Sequence, residues 1–145
     1  MNILSNLIGK FFFLGNSKYM PGTIGSFAGI LLWIFFPEDL YARIIIIVIT
    51  WIVGHYAINN ILKGCDEQDP PSIVIDEVVG MWISCIFISN DLIMILVAFS
   101  LFRLFDIFKP SFIYHVQKID GAWGIMLDDV LSGLLTSVII LFFSI

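Results

Sequence analysis

The sequence predicts an all-α fold: a polytopic membrane helical bundle of about five membrane-embedded helices, preceded by a short N-terminal interfacial helix. Three observations predict it. Apolar residues make up 59% of the 145-residue chain and charged residues only 13%, where a soluble chain carries roughly 25% charged. Several runs without any charge approach the ~20 residues that a helix needs to cross a bilayer. The ionisable residues collect between those runs. A surface this short of polar groups is better solvated by lipid than by water. The length suits one domain, read as a single membrane-embedded unit over residues 1–145.

Leu4, Leu7, Ile8, Phe11 and Phe12 fall at helical spacing, which suits a short helix lying in the membrane interface. The apolar run beside Lys10 is too short for the core of a cleavable signal. Tyr19 to Pro37 and Ile44 to Leu62 each give 19 uncharged residues, and Val130 to Ile145 gives 16. Val78 to Asn90 and Leu92 to Phe102 are shorter, at 13 and 11 residues; they either span with helices extended outward through charged positions or form one bent or re-entrant unit. The third helix is expected to begin after Pro70-Pro71, with Ser72 as its cap. The fourth is expected to run from the Asn90-Asp91 turn to just before Pro110.

Five crossings place six of the seven basic residues on one side, with Arg43 alone on the other. The positive-inside rule makes the basic side cytoplasmic. Nine of the twelve acidic residues, Asp66 among them, fall on that same side. A net charge of −5 leaves no basic patch for a nucleic-acid partner.

On this rim Asp76-Glu77 and Asp128-Asp129 are adjacent pairs, each expected at a helix start. The helix dipole relieves ~0.3–1 kcal/mol per carboxylate there. Burial costs several kcal/mol, so a divalent cation is the natural compensation. An all-oxygen ligand set suits Mg²⁺ or Mn²⁺ better than zinc. Arg103, Asp106 and Lys109 step by three and form one stripe on a helix, as either a phosphate clamp beside a metal ligand or an internal ion-pair ladder. Pro21-Gly22-Thr23-Ile24-Gly25-Ser26 opens the first span. Its free N–H groups suit an anion, while Gly25 and Gly29 also make a GxxxG packing pattern within or between chains. Thr23 can cap this helix or touch a ligand. His55 and His115 lack partners at metal-ligand spacing and read as structural.

Taken in order, these segments resemble the phosphatidylglycerophosphatase A family. The resemblance rests on residues 21–26, on Asp69 with residues 72–82, on residues 102–110 and on residues 121–130. It implies Mg²⁺-dependent removal of the terminal phosphate of phosphatidylglycerophosphate, a phospholipid substrate of the bacterial cytoplasmic (inner) membrane. With the span and charge counts it gives a multi-pass phosphatase domain whose site is expected to face the cytoplasm. Residue by residue it points to Asp76, Glu77, Asp106, Asp128 and Asp129 as acidic site residues, with Arg103 and Lys109 as basic ones; the acids are expected to hold the metal and serve catalysis, and the cations to bind the phosphate. Thr23 and Asp69 carry over as further site residues.

Other phosphatase chemistries lack their signatures. Cys65 and Cys85 are followed six residues on by Pro71 and Asp91, not by arginine, and no DxDx[TV] run exists. Two unpaired histidines cannot serve a histidine nucleophile. Metal-assisted hydrolysis or an aspartyl nucleophile remains. Two rivals stand beside it. A CDP-alcohol phosphotransferase-like enzyme needs Ala-Arg after its Asp-Gly, and Asp120-Gly121-Ala122-Trp123 fails there. A carboxylate-lined cation carrier would place its acids near mid-span or on both faces. Oligomeric state is not legible.

Overall fold

The computed structural model describes residues 2–65, 67–89 and 91–143. Asp66, Asn90 and the last two residues of the expected final run lie outside the described residues. The described residues form helices α1 (Ile3–Gly9), α2 (Pro21–Trp33), α3 (Leu40–Leu62), α4 (Ile75–Ser84), α5 (Leu92–Phe108), α6 (Ser111–Val116) and α7 (Ala122–Phe143), with a short 3₁₀ turn at Leu14–Asn16. No strand occurs among them, as the all-α reading expects.

Two helices, α3 with 23 residues and α7 with 22, are long and apolar enough to cross a membrane. The other three expected spans are shorter: α2 has 13 residues, α4 has 10 and α5 has 17. The third run does lengthen outward through Asp76 and Glu77, but α4 ends at Ser84, where the chain turns at Cys85, and so stays short. The fourth lengthens too, and carries Arg103 and Asp106 within α5.

Two expectations about helix starts are corrected. Ser72 does not cap α4; the cap position is Val74, whose side chain has no polar atom to offer. Its N–H instead donates to Gly9 O at 3.0 Å, so the end of α1 fixes where α4 begins. Asp128 and Asp129 are not at a helix start, because α7 begins at Ala122 and holds both acids in its second turn. Residues 122–126 are apolar or glycine and join the helix readily, following the left-handed turn at Gly121 (φ +78°). The fourth helix starts where it was expected to, directly after Asp91, whose Oδ1 accepts from the N–H groups of Ile93 and Met94 at 2.9 and 3.2 Å.

Helix α4 is the core. Every residue in it except Glu77 is buried, and α2, α3, α5 and α7 all pack against it. Its crossing with α7 is close because glycine stands on both sides. A Cβ at Gly80 would lie 2.8 Å from Asp129 O, and one at Gly133 would lie 3.0 Å from Ile83 Cβ. The Gly25/Gly29 pattern packs within the chain, against Val74 and Val78, and Trp82 Nε1 donates to Gly29 O at 2.9 Å. The outward faces of α3 and α5 stay apolar, with Ile45, Ile49, Ile52, Ile93 and Leu96 exposed. That pattern suits lipid rather than water.

At the end of the bundle opposite the acidic pairs, Arg43 is 4% exposed and works internally. Its Nε donates to Pro37 O and its Nη1 to Ile88 O, both at 2.8 Å, and the guanidinium lies 4.6 Å from the centre of the Trp33 ring. The lone basic residue of that end is thus a tie between two turns.

Candidate active site

The close α4–α7 crossing sets Asp76 and Glu77, in the first turn of α4, against Asp128 and Asp129, in the second turn of α7. The end of α5 supplies Arg103 and Asp106, and the start of α2 supplies residues 20–23. Together with Asp69, Pro71, Ile73, Lys109 and Ile125 they line one cavity of about 270 Å³. Every site residue expected from the sequence therefore faces the same space. A second cleft, lined by Gln68, Gln117, Lys118 and Asp120 among others, shares Asp69, Ile125 and Asp128 with it.

The cations are held by the acids beside them. Arg103 Nη1 lies 2.5 Å from Asp106 Oδ2, one helical turn along α5. Lys109 is not part of the helical stripe expected for it. It follows α5 in the left-handed conformation (φ 42°), with its N–H donating to Phe105 O at 2.9 Å, and breaks the helix just before Pro110. From there its Nζ reaches across to Asp128 Oδ2 at 2.5 Å. Burial by itself would lower the Lys109 ammonium. The hydrogen bond and charge of Asp128 outweigh this, helped by Asp106 and Asp129, and hold it above the ordinary lysine value.

Among the described residues two acidic triads present oxygen atoms within 4.8 Å of one another: Asp76, Glu77 and Asp129, and Asp106, Asp128 and Asp129. Asp129 belongs to both. Asp76, Asp128 and Asp129 are each less than 10% exposed. Asp76 Oδ1, Glu77 Oε2 and Asp129 Oδ1 are buried with no hydrogen-bond partner. Unpartnered oxygens at this depth fit a divalent cation, which would supply the missing positive charge. The donor set is all oxygen, as Mg²⁺ prefers.

Thr23 lines the cavity but does not cap α2, whose cap position is Met20. Asp69 lines both clefts and is exposed. His55 stacks on Trp51 at 5.5 Å and meets Trp123 at 4.6 Å, away from the acids, and His115 Nδ1 contacts Ser111 O. Cys85 is buried in the core. Two residues of the 21–26 run take specific parts that their sequence pattern left open. Ser26 is fully buried, donates to Gly22 O at 2.9 Å and accepts from Arg103 Nη1 at 3.5 Å. Its spacing of four from Gly22 was the available signal. Gly22 itself leaves the room that Glu77 occupies, since a Cβ there would overlap Glu77 Oε1 and lie 3.4 Å from Arg103 Nη1.

Comparison with known proteins finds relatives along most of the chain. A Bacteroides thetaiotaomicron protein provisionally named phosphatidylinositol-3-phosphatase is 34% identical over 148 residues, covering 96% of this chain and 92% of that one. Phosphatidylglycerophosphatase A of Escherichia coli K12 is 35% identical, covering 88% of this chain and 76% of its own length. Its namesake in Haemophilus influenzae is 37% identical over 83% of this chain and 76% of that one. No solved structure matches. The sequence pattern of phosphatidylglycerophosphatase A matches residues 7–144, nearly the whole length, and the chain belongs to that family.

Proposed function

We propose that this protein is a Mg²⁺-dependent phosphatidylglycerophosphatase. It removes the terminal phosphate monoester of phosphatidylglycerophosphate and leaves phosphatidylglycerol and inorganic phosphate. The observation that carries this reading is the pair of acidic triads sharing Asp129, flanked by Arg103 and Lys109. Acids alone would repel a phosphate, and cations alone would bind it without compensating the buried carboxylates.

In this reading Asp76, Glu77, Asp106, Asp128 and Asp129 hold the metal. Bound Mg²⁺ supplies Lewis-acid polarisation of the phosphoryl oxygens. Arg103 approaches the phosphoryl group with donors not used by Asp106, among them Nε, which is buried without a partner. Lys109 stays protonated and neutralises charge as the ester bond breaks. Thr23, at the first turn of α2, offers a hydroxyl to the same group. Water, or a carboxylate followed by water, adds to phosphorus. The ester oxygen leaves with the bonding pair and takes up a proton as the phosphatidylglycerol hydroxyl.

The protein works at the bacterial cytoplasmic membrane, which its family membership and its two long apolar helices support. We place it there as a multi-pass protein of about five membrane-embedded helices, with α2, α4 and α5 entering without a full straight crossing. The excess of basic residues near the site orients that end to the cytoplasm. The carboxylates gather at one end, which disfavours a cation carrier.

Phosphate release from phosphatidylglycerophosphate by purified protein, with and without Mg²⁺, tests the reading. Turnover that survives exhaustive chelation would remove the metal from it. The relative from B. thetaiotaomicron supports a second reading, a phosphate monoester on an inositol headgroup. Running phosphatidylinositol 3-phosphate in the same assay ranks the two substrates.

A further inference from the structure

Residues 11–20 connect α1 to the mouth of the cavity, and their backbone is costly. Phe11, Phe12, Phe13 and Met20 all lie in the left-handed region, with φ between 42° and 65°. Side chains beyond glycine pay for that conformation, and glycine would adopt it freely. Phe11 repays the cost by packing into the core, where it is 8% exposed. Phe12, Phe13 and Met20 do not: they are 67%, 46% and 66% exposed, and Tyr19 beside them is 82% exposed. The segment is held from within, since Phe12 N–H donates to Leu7 O at 2.7 Å and Gly15 N–H to Lys10 O at 3.1 Å. Large apolar side chains are thus held outward by a firmly bonded turn.

We propose that this turn is a docking lip for an anionic phospholipid bilayer, which brings the cavity mouth to the level of the substrate headgroup. The inference rests on the phospholipid phosphatase reading above and adds where the lipid surface meets the protein. Bilayer contact would repay the exposed aromatic side chains, which gain nothing from water. Lys10 and the exposed Lys18 flank the aromatic residues and complement anionic headgroups. The lip is continuous with the site, because Met20 lines the cavity and Pro21 opens α2.

The test uses the full chain with both Phe12 and Phe13 changed to glycine, which keeps the left-handed backbone and removes the rings. Two substrates carry the same phosphate monoester: phosphatidylglycerophosphate in phosphatidylglycerol vesicles, and its deacylated, water-soluble headgroup. We expect kcat/KM on vesicles to fall about tenfold or more. Turnover of the soluble headgroup and the thermal midpoint should hold. Equal loss on both substrates, or loss on neither, overturns the proposal. A second arm needs no activity: a nitroxide on Tyr19→Cys, in a Cys65→Ser background, is read in the same vesicles. Relaxation by oxygen above that by a water-soluble nickel chelate supports docking, and the reverse overturns it. Spin–spin broadening relieved by unlabelled protein would put a second copy on the lip and also overturn it. If the unaltered protein hydrolyses neither substrate, the phosphatase reading fails, and the nitroxide arm still decides the docking.

Discussion

Lys109, just past the end of α5, reaches Asp128 in the second turn of α7 at 2.5 Å and ties the two helices together at the cavity. The contact is both an interhelical link and a way of keeping a cation beside the acids. Replacing Lys109 with methionine removes both and leaves Asp128 buried without its partner. We expect a loss of about 2 kcal/mol of stability and a fall of about 10²-fold in kcat/KM. Lys109→Arg should keep much of the stability and less of the activity, because a planar guanidinium does not fit the point contact. Thermal unfolding and steady-state phosphate release check the two effects separately.

Asp129 stands in both acidic triads. Asp129→Asn should lower turnover by about 10³-fold while the protein stays folded, since the change removes a buried charge with an unpartnered oxygen. The thermal midpoint without Mg²⁺ should be equal or higher than that of the parent. The parent should gain about 2.7 kcal/mol when Mg²⁺ is at a hundred times its dissociation constant, and the variant should gain much less. Full activity in the asparagine variant would remove Asp129 from the site.

Gly80 lets α4 approach α7, and a methyl group there would lie 2.7 Å from Phe102 Cε2 and 2.8 Å from Asp129 O. The second of these neighbours is backbone and cannot swing aside. Gly80→Ala should therefore destabilise the protein by about 1–3 kcal/mol through overpacking. It should also weaken activity, because the same crossing sets the distance between the two acidic pairs. A thermal midpoint equal to the parent's would show that the helices separate without cost.

Arg43 provides a control at the far end. Arg43→Met leaves the carbonyls of Pro37 and Ile88 without their donor. A loss of about 2–3 kcal/mol is expected, with KM and kcat unchanged below the unfolding transition. A shift in KM would mean that the far end communicates with the site.

The residues of the site were legible from the chain because the chemistry is carried by short local runs. Asp76-Glu77, Arg103 to Lys109 and Asp128-Asp129 each announce themselves as ionisable groups amid apolar sequence, and all of them line the one cavity. Helix limits were less legible. Uncharged runs mark where a helix can lie in lipid, whereas its ends are set by partners distant in sequence. Gly9 O receives the Val74 N–H and thereby helps to place the start of α4. The acids of α7 sit inside their helix because the packing of α4, α5 and α7 leaves them a polar cavity there.

By itself the sequence determined the helical class, the affinity for lipid and the inventory of acids and cations, since all three follow from composition and local spacing. Only the tertiary structure decided that Asp129 is common to both triads, that Lys109 pairs with Asp128, and that Ser26 and Gly22 shape the space around Arg103. Those relations depend on how closely α2, α4, α5 and α7 approach. That closeness is set by the side chains, and the missing side chains, on both faces of each crossing.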